Sequence, residues 1–108
     1  MKIKLHRAQI GKAEGLDTTA RTNAPYAPTW GMVRSYKAGI IDKAKYTELY
    51  HDMLAEVGVD SWRELWLQGK ANDGELTFLC FCRDGQFCHT VLLIDWLVEH
   101  YPEGFEKG

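Results

Sequence analysis

Residues 76–93, with the sequence LTFLCFCRDGQFCHTVLL, decide the fold that we expect for this chain. An almost continuous apolar run ends at Cys82, a short polar loop containing Gly85 follows, and an amphipathic helical pattern begins at Cys88. An apolar run of this kind is typical of a strand that is buried on both faces of a parallel sheet. We therefore predict a central parallel strand over residues 76–81, followed by a loop and the N-terminus of a helix.

The rest of the chain adds helices and a few strands around this segment. Ile3 and Leu5 alternate with lysines, which predicts a first strand near the N-terminus. Residues 11–28 are rich in Gly, Asp, Thr, Asn and Pro, which is typical of a loop, and a loop of this length in a compact domain is expected to contain a short strand over residues 16–21. Three helices should follow, with Thr29, Asp42 and Ser61 as N-caps and Gly69 at the end of the third. The pattern predicts one domain over residues 1–108: a small α/β sandwich with a short, mainly parallel sheet flanked by helices.

Composition restricts the class of protein. The 108 residues are 45% hydrophobic and 26% charged, with a net charge of −2, which argues against a general nucleic-acid binder. No apolar run is long enough to span a membrane, so we expect no membrane partner. Three cysteines are an odd number, and this favours a cytoplasmic protein with reduced thiols. We interpret the basic residues near the N-terminus, Arg7 among them, as the solvated face of a strand.

The cysteine segment has the features of a reactive site. Cys82 should lie at the carboxyl end of a strand, the edge at which open α/β sheets bind ligands. Gly85 can adopt a positive φ, so the N–H groups of the following loop can point inward and, with the helix dipole, bind an anion and lower a thiol pKa. We predict Cys82 or Cys88 as the reactive thiol and His89 as its acid or base partner. Cys80, inside the apolar run, is expected to be a core residue.

The same residues allow a second interpretation. Cys82, Cys88 and His89 are soft thiol and imidazole ligands that could hold zinc or iron. A third possibility is that the thiols only fill space, because cysteine is often buried without a chemical role.

The residues from Leu79 to His89 also resemble the signature of a known family. The YeaO-like proteins, domain of unknown function 488, typically read Leu-Cys-Tyr-Cys-Lys-x-Gly-x-Phe-Cys-His-Arg, and this segment reads LCFCRDGQFCH. The resemblance is closest to phage-encoded members. It extends upstream to four further segments, at residues 16–21, 26–30, 36–39 and 46–50. It implies no established biochemical activity.

One position departs from that signature. Thr90 stands where the family usually has Arg. If a guanidinium is needed beside His89, the resemblance therefore implies that Arg21 or Arg83 must supply it.

The resemblance gives the polar upstream loop a functional interpretation as well. Asp17, Thr19 and Arg21 would lie on one face of an extended segment, and Arg21 with Lys37 could complete an anion pocket over the Cys82–His89 loop. The predicted anion-binding residues are then Arg21, Lys37, Arg83, Gly85 and Thr90, supported by Asp17 and Thr19.

Three functional classes remain open on this basis. The first is an enzyme or binder for an anionic, phosphate- or nucleotide-like small molecule, acting through a reactive thiol. The second is a metal-binding module. The third is a phage accessory protein that acts through protein–protein contacts.

Overall fold

The fold is known from a computed structural model, which describes residues 1–83 and 85–108. Two strands form the centre of the sheet, β1 (Ile3–Gln9) and β3 (Glu75–Cys80), paired in parallel with Leu5 opposite Leu76. β2 (Leu16–Asp17) pairs with β3, and β4 (Phe105–Lys107) pairs with β1, both again in parallel. The strand order is β2-β3-β1-β4, so β3 is interior, as the apolar run predicted.

Four α-helices surround this sheet in the part of the chain that the structure describes: α1 (Trp30–Lys37), α2 (Lys43–Ala55), α3 (Val59–Ala71) and α4 (His89–His100). Thr29 and Asp42 act as the predicted N-caps, because their side-chain oxygens accept hydrogen bonds from the backbone N–H groups of Met32 and Lys45. The α/β architecture with a parallel sheet is therefore confirmed. No helix within the described residues is long and apolar enough to cross a bilayer.

The third helix differs from its prediction at both ends. It begins at Val59 with Gly58 as N-cap, three residues before the predicted cap Ser61. It also continues past Gly69, which is buried and packs against Ile3 of β1. A Cβ atom at Gly69 would overlap the Ile3 side chain, so this glycine allows the helix to approach the sheet and does not end the helix.

Strand alternation explains where the chemical groups lie. Side chains two residues apart share a face of a strand, so Arg7 follows Ile3 and Leu5 on the face of β1 that is buried against the core. By the same rule Cys80 follows Leu76 and Phe78 on β3. Arg7 and Cys80 thus lie on adjacent strands near their carboxyl ends.

Candidate functional site

Three thiols meet at the carboxyl end of β3. Cys80 is the last residue of this strand and Cys88 is the N-cap of α4, and their Sγ atoms are 3.0 Å apart. The Sγ atom of Cys82 completes the group, with all three sulfurs within 4.8 Å of one another. We call Cys80, Cys82 and Cys88 the thiol cluster. Cys80, expected to be a core residue, is buried but contacts polar groups of this cluster.

Arg7 binds the thiol cluster from the neighbouring strand. Its Nη2 atom lies 3.0 Å from the Cys80 Sγ atom and donates to the Cys82 carbonyl oxygen at 2.7 Å. Its Nε atom donates to the Thr90 hydroxyl at 3.2 Å. The guanidinium next to Thr90 therefore comes from Arg7, and not from Arg21 or Arg83. The sequence contained a signal for this placement, because Arg7 has the same parity along the strand as the apolar residues Ile3 and Leu5.

The Cys80 sulfur accepts hydrogen bonds from two neighbours, Arg7 and Cys88. Thr90 accepts from Arg7 and donates to the Cys88 Sγ atom at 3.2 Å, so the S–H of Cys88 is left to donate to Cys80. The S–H of Cys88 and the guanidinium of Arg7 lower the pKa of the Cys80 thiol to about 4, although burial acts in the opposite direction. The Cys80 thiolate, together with burial, raises the pKa of Cys88. These opposite shifts favour a negative charge on Cys80 and a proton on Cys88.

His89 is fixed in one tautomer by Thr18. The Thr18 hydroxyl donates its single proton to the Leu79 carbonyl oxygen at 2.9 Å, so the 2.8 Å contact to His89 Nε2 requires that Nε2 carries the hydrogen. The unprotonated Nδ1 atom then faces the Cys88 Sγ atom at 3.8 Å. Burial lowers the pKa of His89, which keeps the imidazole neutral and able to accept a proton.

A cavity of about 550 Å³ opens over the cluster. Its walls carry aromatic rings of α1, α2 and the loop before α4, including Tyr36, Tyr46 and Phe87, whose ring centroids are 5.2–5.5 Å apart. Trp30 and Phe81 also line it, although both are more than half exposed. A volume of this size is typical of small-molecule sites.

The charged groups that line this cavity are basic. Lys37 and Lys43 belong to the lining, and no Asp or Glu does so among the residues that the structure describes. Lys43 was not predicted. It is the first residue of α2, and its Nζ atom lies 5.5 Å from the centre of the Phe87 ring.

Arg21 is positioned differently from the prediction. Its guanidinium donates twice to the Asp17 carboxylate, at 2.8 and 3.0 Å, and lies 5.0 Å from the centre of the Phe81 ring. Thr19 donates to the same carboxylate through its N–H and its hydroxyl. Burial raises the Asp17 pKa, but the bonds from Thr19 and Arg21 outweigh it and lower this pKa overall. Asp17 therefore neutralises Arg21, which is not among the residues that line the cavity.

The structure describes the loop between β3 and α4 except for Asp84. The part of the predicted anion-binding loop that falls on this residue lies outside the described residues. Gly85 has the positive φ that was predicted, at 82°, and lines the cavity. Arg83 is exposed, and its backbone N–H donates to the Gln86 side chain at 2.9 Å. Thr90 is fully buried and binds Arg7 and Cys88. Of the predicted site residues, the structure thus brings six around one cavity: Thr19, Lys37, Cys82, Gly85, Cys88 and His89.

The thiol cluster could also hold a metal ion. Three Sγ atoms within 4.8 Å of one another can rearrange around one soft cation. The set differs from the predicted Cys82, Cys88 and His89, because Cys80 supplies the third ligand and His89 Nε2 is engaged by Thr18.

Fold and site together define a small α/β protein with a buried thiol cluster at the carboxyl edge of a parallel sheet. The family model DUF488-N3a, described as the "Active DUF488-N3 subclade", matches residues 8–101. The chain therefore belongs to the DUF488 family. No curated protein and no solved structure matches it.

Proposed function

We propose that this protein is a thiol-dependent enzyme that acts on an anionic small molecule, with Cys80 as the nucleophile. The observation that carries the proposal is the Cys80 sulfur itself, which lines the cavity and accepts from both Arg7 and Cys88. A thiolate is the nucleophilic form of cysteine, and nearby cationic or donor groups stabilise it at neutral pH. Cys82 makes fewer such contacts, so the nucleophile is assigned to Cys80 in preference to Cys82.

The cavity supports the substrate class. Lys37 and Lys43 supply positive charge without a carboxylate among the described lining residues, which favours phosphate or another anion. The exposed rings of Trp30 and Phe81 offer flat apolar surfaces to a planar group. A phosphorylated or nucleotide-like molecule has both parts.

The proposed reaction balances within the thiol pair. The Cys80 thiolate forms a bond to an electrophilic atom of the substrate, and the bond from that atom to its leaving group breaks. The leaving group departs with the electron pair and takes the Cys88 proton. Water then displaces Cys80 from the intermediate, which restores the thiolate, and returns a proton to Cys88. His89 Nδ1, facing Cys88, can accept the proton of the attacking water in the second step and pass it to Cys88.

Two measurements on the native protein test the proposal. Iodoacetamide at pH 6 should alkylate Cys80 without unfolding, and adenosine monophosphate should slow this alkylation. The same nucleotide and inorganic phosphate should raise the melting temperature. Replacing both Lys37 and Lys43 by Gln should abolish the shift. A matched control is Lys70→Gln, because Lys70 lies over Trp66, outside the cavity. Native protein in which Cys80 reacts only after unfolding would contradict the proposal.

A metal centre is the second candidate, favoured by the spacing of the three sulfurs. Cys80, Cys82 and Cys88 would supply thiolate ligands for zinc or iron, with the cavity leaving a position open to a further ligand. Elemental analysis of freshly purified protein should then find about one metal ion per chain, and Cys82→Ser should lose it. Protein that contains no metal and takes up none from added zinc excludes this candidate.

A further inference from the structure

We propose that Cys80 and Cys88 are a redox pair that a small hydroperoxide oxidises to a disulfide. The two Sγ atoms are 3.0 Å apart, while a disulfide bond is about 2.05 Å long, so a movement of about 1 Å joins them. Cys88 is the N-cap of α4 and has extended backbone, at the end of a loop. This inference goes beyond the proposed function, since it concerns the same sulfurs but needs no substrate.

The surroundings of Cys80 favour its oxidation. The sulfur is buried from the outer surface but lines the cavity, through which a molecule as small as hydrogen peroxide can reach it. The Arg7 guanidinium at 3.0 Å stabilises the thiolate, the form that attacks a peroxide. A second cysteine in contact with the first is what converts a sulfenic acid into a disulfide.

The electrons and atoms of the reaction balance. The Cys80 sulfur attacks one peroxide oxygen, the O–O bond breaks, and the leaving hydroxide takes up a proton to form water. The product is a sulfenic acid on Cys80. The Cys88 sulfur then attacks the Cys80 sulfur and displaces its hydroxyl as a second water. Two thiols are oxidised by two electrons in total, and one hydroperoxide is reduced.

The consequence is a reversible block of the site. The disulfide removes the thiolate from the floor of the cavity and leaves Cys82 as the remaining thiol of the cluster. An external dithiol would restore the reduced pair by exchange.

Peptide mapping tests the proposal, because Arg83 separates the two cysteines for trypsin. Cleavage after Lys70 and Arg83 places Cys80 and Cys82 in the peptide 71–83 and Cys88 in the peptide 84–107. Native protein treated with one equivalent of hydrogen peroxide should lose two free thiols and yield these peptides linked, with dithiothreitol reversing both changes. Cys82→Ser is the matched control and should give the same link.

The variants separate this inference from the proposed function. Cys88→Ser should give no link between the two peptides. The double variant Cys82→Ser, Cys88→Ser, which has no neighbouring thiol, should accumulate a dimedone-reactive sulfenic acid on Cys80, and circular dichroism checks that both variants are folded. If Cys82→Ser abolishes the link, or the native protein forms none, the redox pair is wrong. The enzyme proposal would still stand in that case, because its own tests are alkylation of Cys80 and stabilisation by anions under reducing conditions.

Discussion

The two ends of the parallel sheet are built from different kinds of buried side chain. At the amino end of β1, Ile3 lies opposite Phe105 and under Gly69, and the rings of Trp62 and Trp96 are 5.1 Å apart nearby in the core. At the carboxyl end, Arg7, Thr90 and the thiol cluster are joined by hydrogen bonds. We call these the apolar end and the thiol end. The comparison indicates that the apolar end stabilises the fold, while the thiol end is where we propose that the chemistry takes place.

The largest expected effect comes from the apolar end. Ile3→Ala should lower the free energy of unfolding by about 2–5 kcal/mol, because it removes a fully buried side chain from between α3 and the sheet. Urea denaturation measures this loss. The alkylation rate of Cys80 in the folded variant should not change. A large change in that rate would mean that the two ends are coupled, contrary to the comparison.

The next effect belongs to the thiol end. Arg7→Met should raise the pKa of Cys80 and slow its alkylation by iodoacetamide at pH 6, because the guanidinium no longer stabilises the thiolate. Mass spectrometry of peptide 71–83 gives the rate. Lys4→Met is the control, because Lys4 is an exposed residue of the same strand on the opposite face. Equal rates in Arg7→Met and native protein would remove Arg7 from the site.

A smaller loss is expected for a single added methyl group. Gly69→Ala should destabilise the protein by about 1–3 kcal/mol, because the new Cβ would overlap Ile3. Gly31→Ala is the matched control in another helix. Its Cβ meets little, so it should be neutral or stabilise by up to about 1 kcal/mol. Chemical denaturation measures the free energy of unfolding of both variants and so separates the effect of helix propensity from that of close packing. Similar changes in this free energy for the two variants would exclude the packing role of Gly69.

The smallest effect concerns pH. Burial lowers the pKa of His89, so the unfolded chain binds a proton more readily and stability is lost as the pH falls below about 6.5. The lowered pKa of Cys80 acts in the same direction. Its contribution to stability is complete above the pKa of the unfolded thiol, about 9, and is lost as the pH falls to the folded pKa of about 4. His89→Gln should reduce the slope of stability against pH below 6.5, by at most about 1.4 kcal/mol per pH unit.

Denaturation at pH 5.5 and 7.5 measures that slope. Cys80→Ser is the companion variant, and it should keep the contribution of His89 while losing that of the thiol. An unchanged slope in His89→Gln would mean that folding does not lower the pKa of His89.

Sequence patterns were sufficient for the fold class, because hydrophobic periodicity reports burial. The apolar run identified β3 as interior, and two N-caps fixed the starts of α1 and α2. The positive φ of Gly85 was also predictable. These features depend on neighbours in the chain.

The partners of the thiols depend on the order of the strands in the sheet, which local sequence patterns do not reveal. Arg7 contacts Cys80, 73 residues further along the chain, because β1 pairs with β3. Cys80 was predicted as core because its apolar neighbours in the chain gave no sign of this cation. Arg21 and Asp17 are only four residues apart. Their ion pair is a local contact, so it could have been predicted from the sequence by considering both charges together.

The pairing of β1 on both sides has a consequence for folding kinetics. Residues 3–9 are synthesised before both of their partners, which are β3, at residues 75–80, and β4, at residues 105–107. Contacts of such long sequence separation close large loops and slow the search for the native state. During translation β1 must wait, unpaired in its native register, until the residues of β3 have been made. The apposition of Arg7 with its sulfur partner is therefore expected to be a late event, so that the reactive thiolate arises only after the sheet has formed.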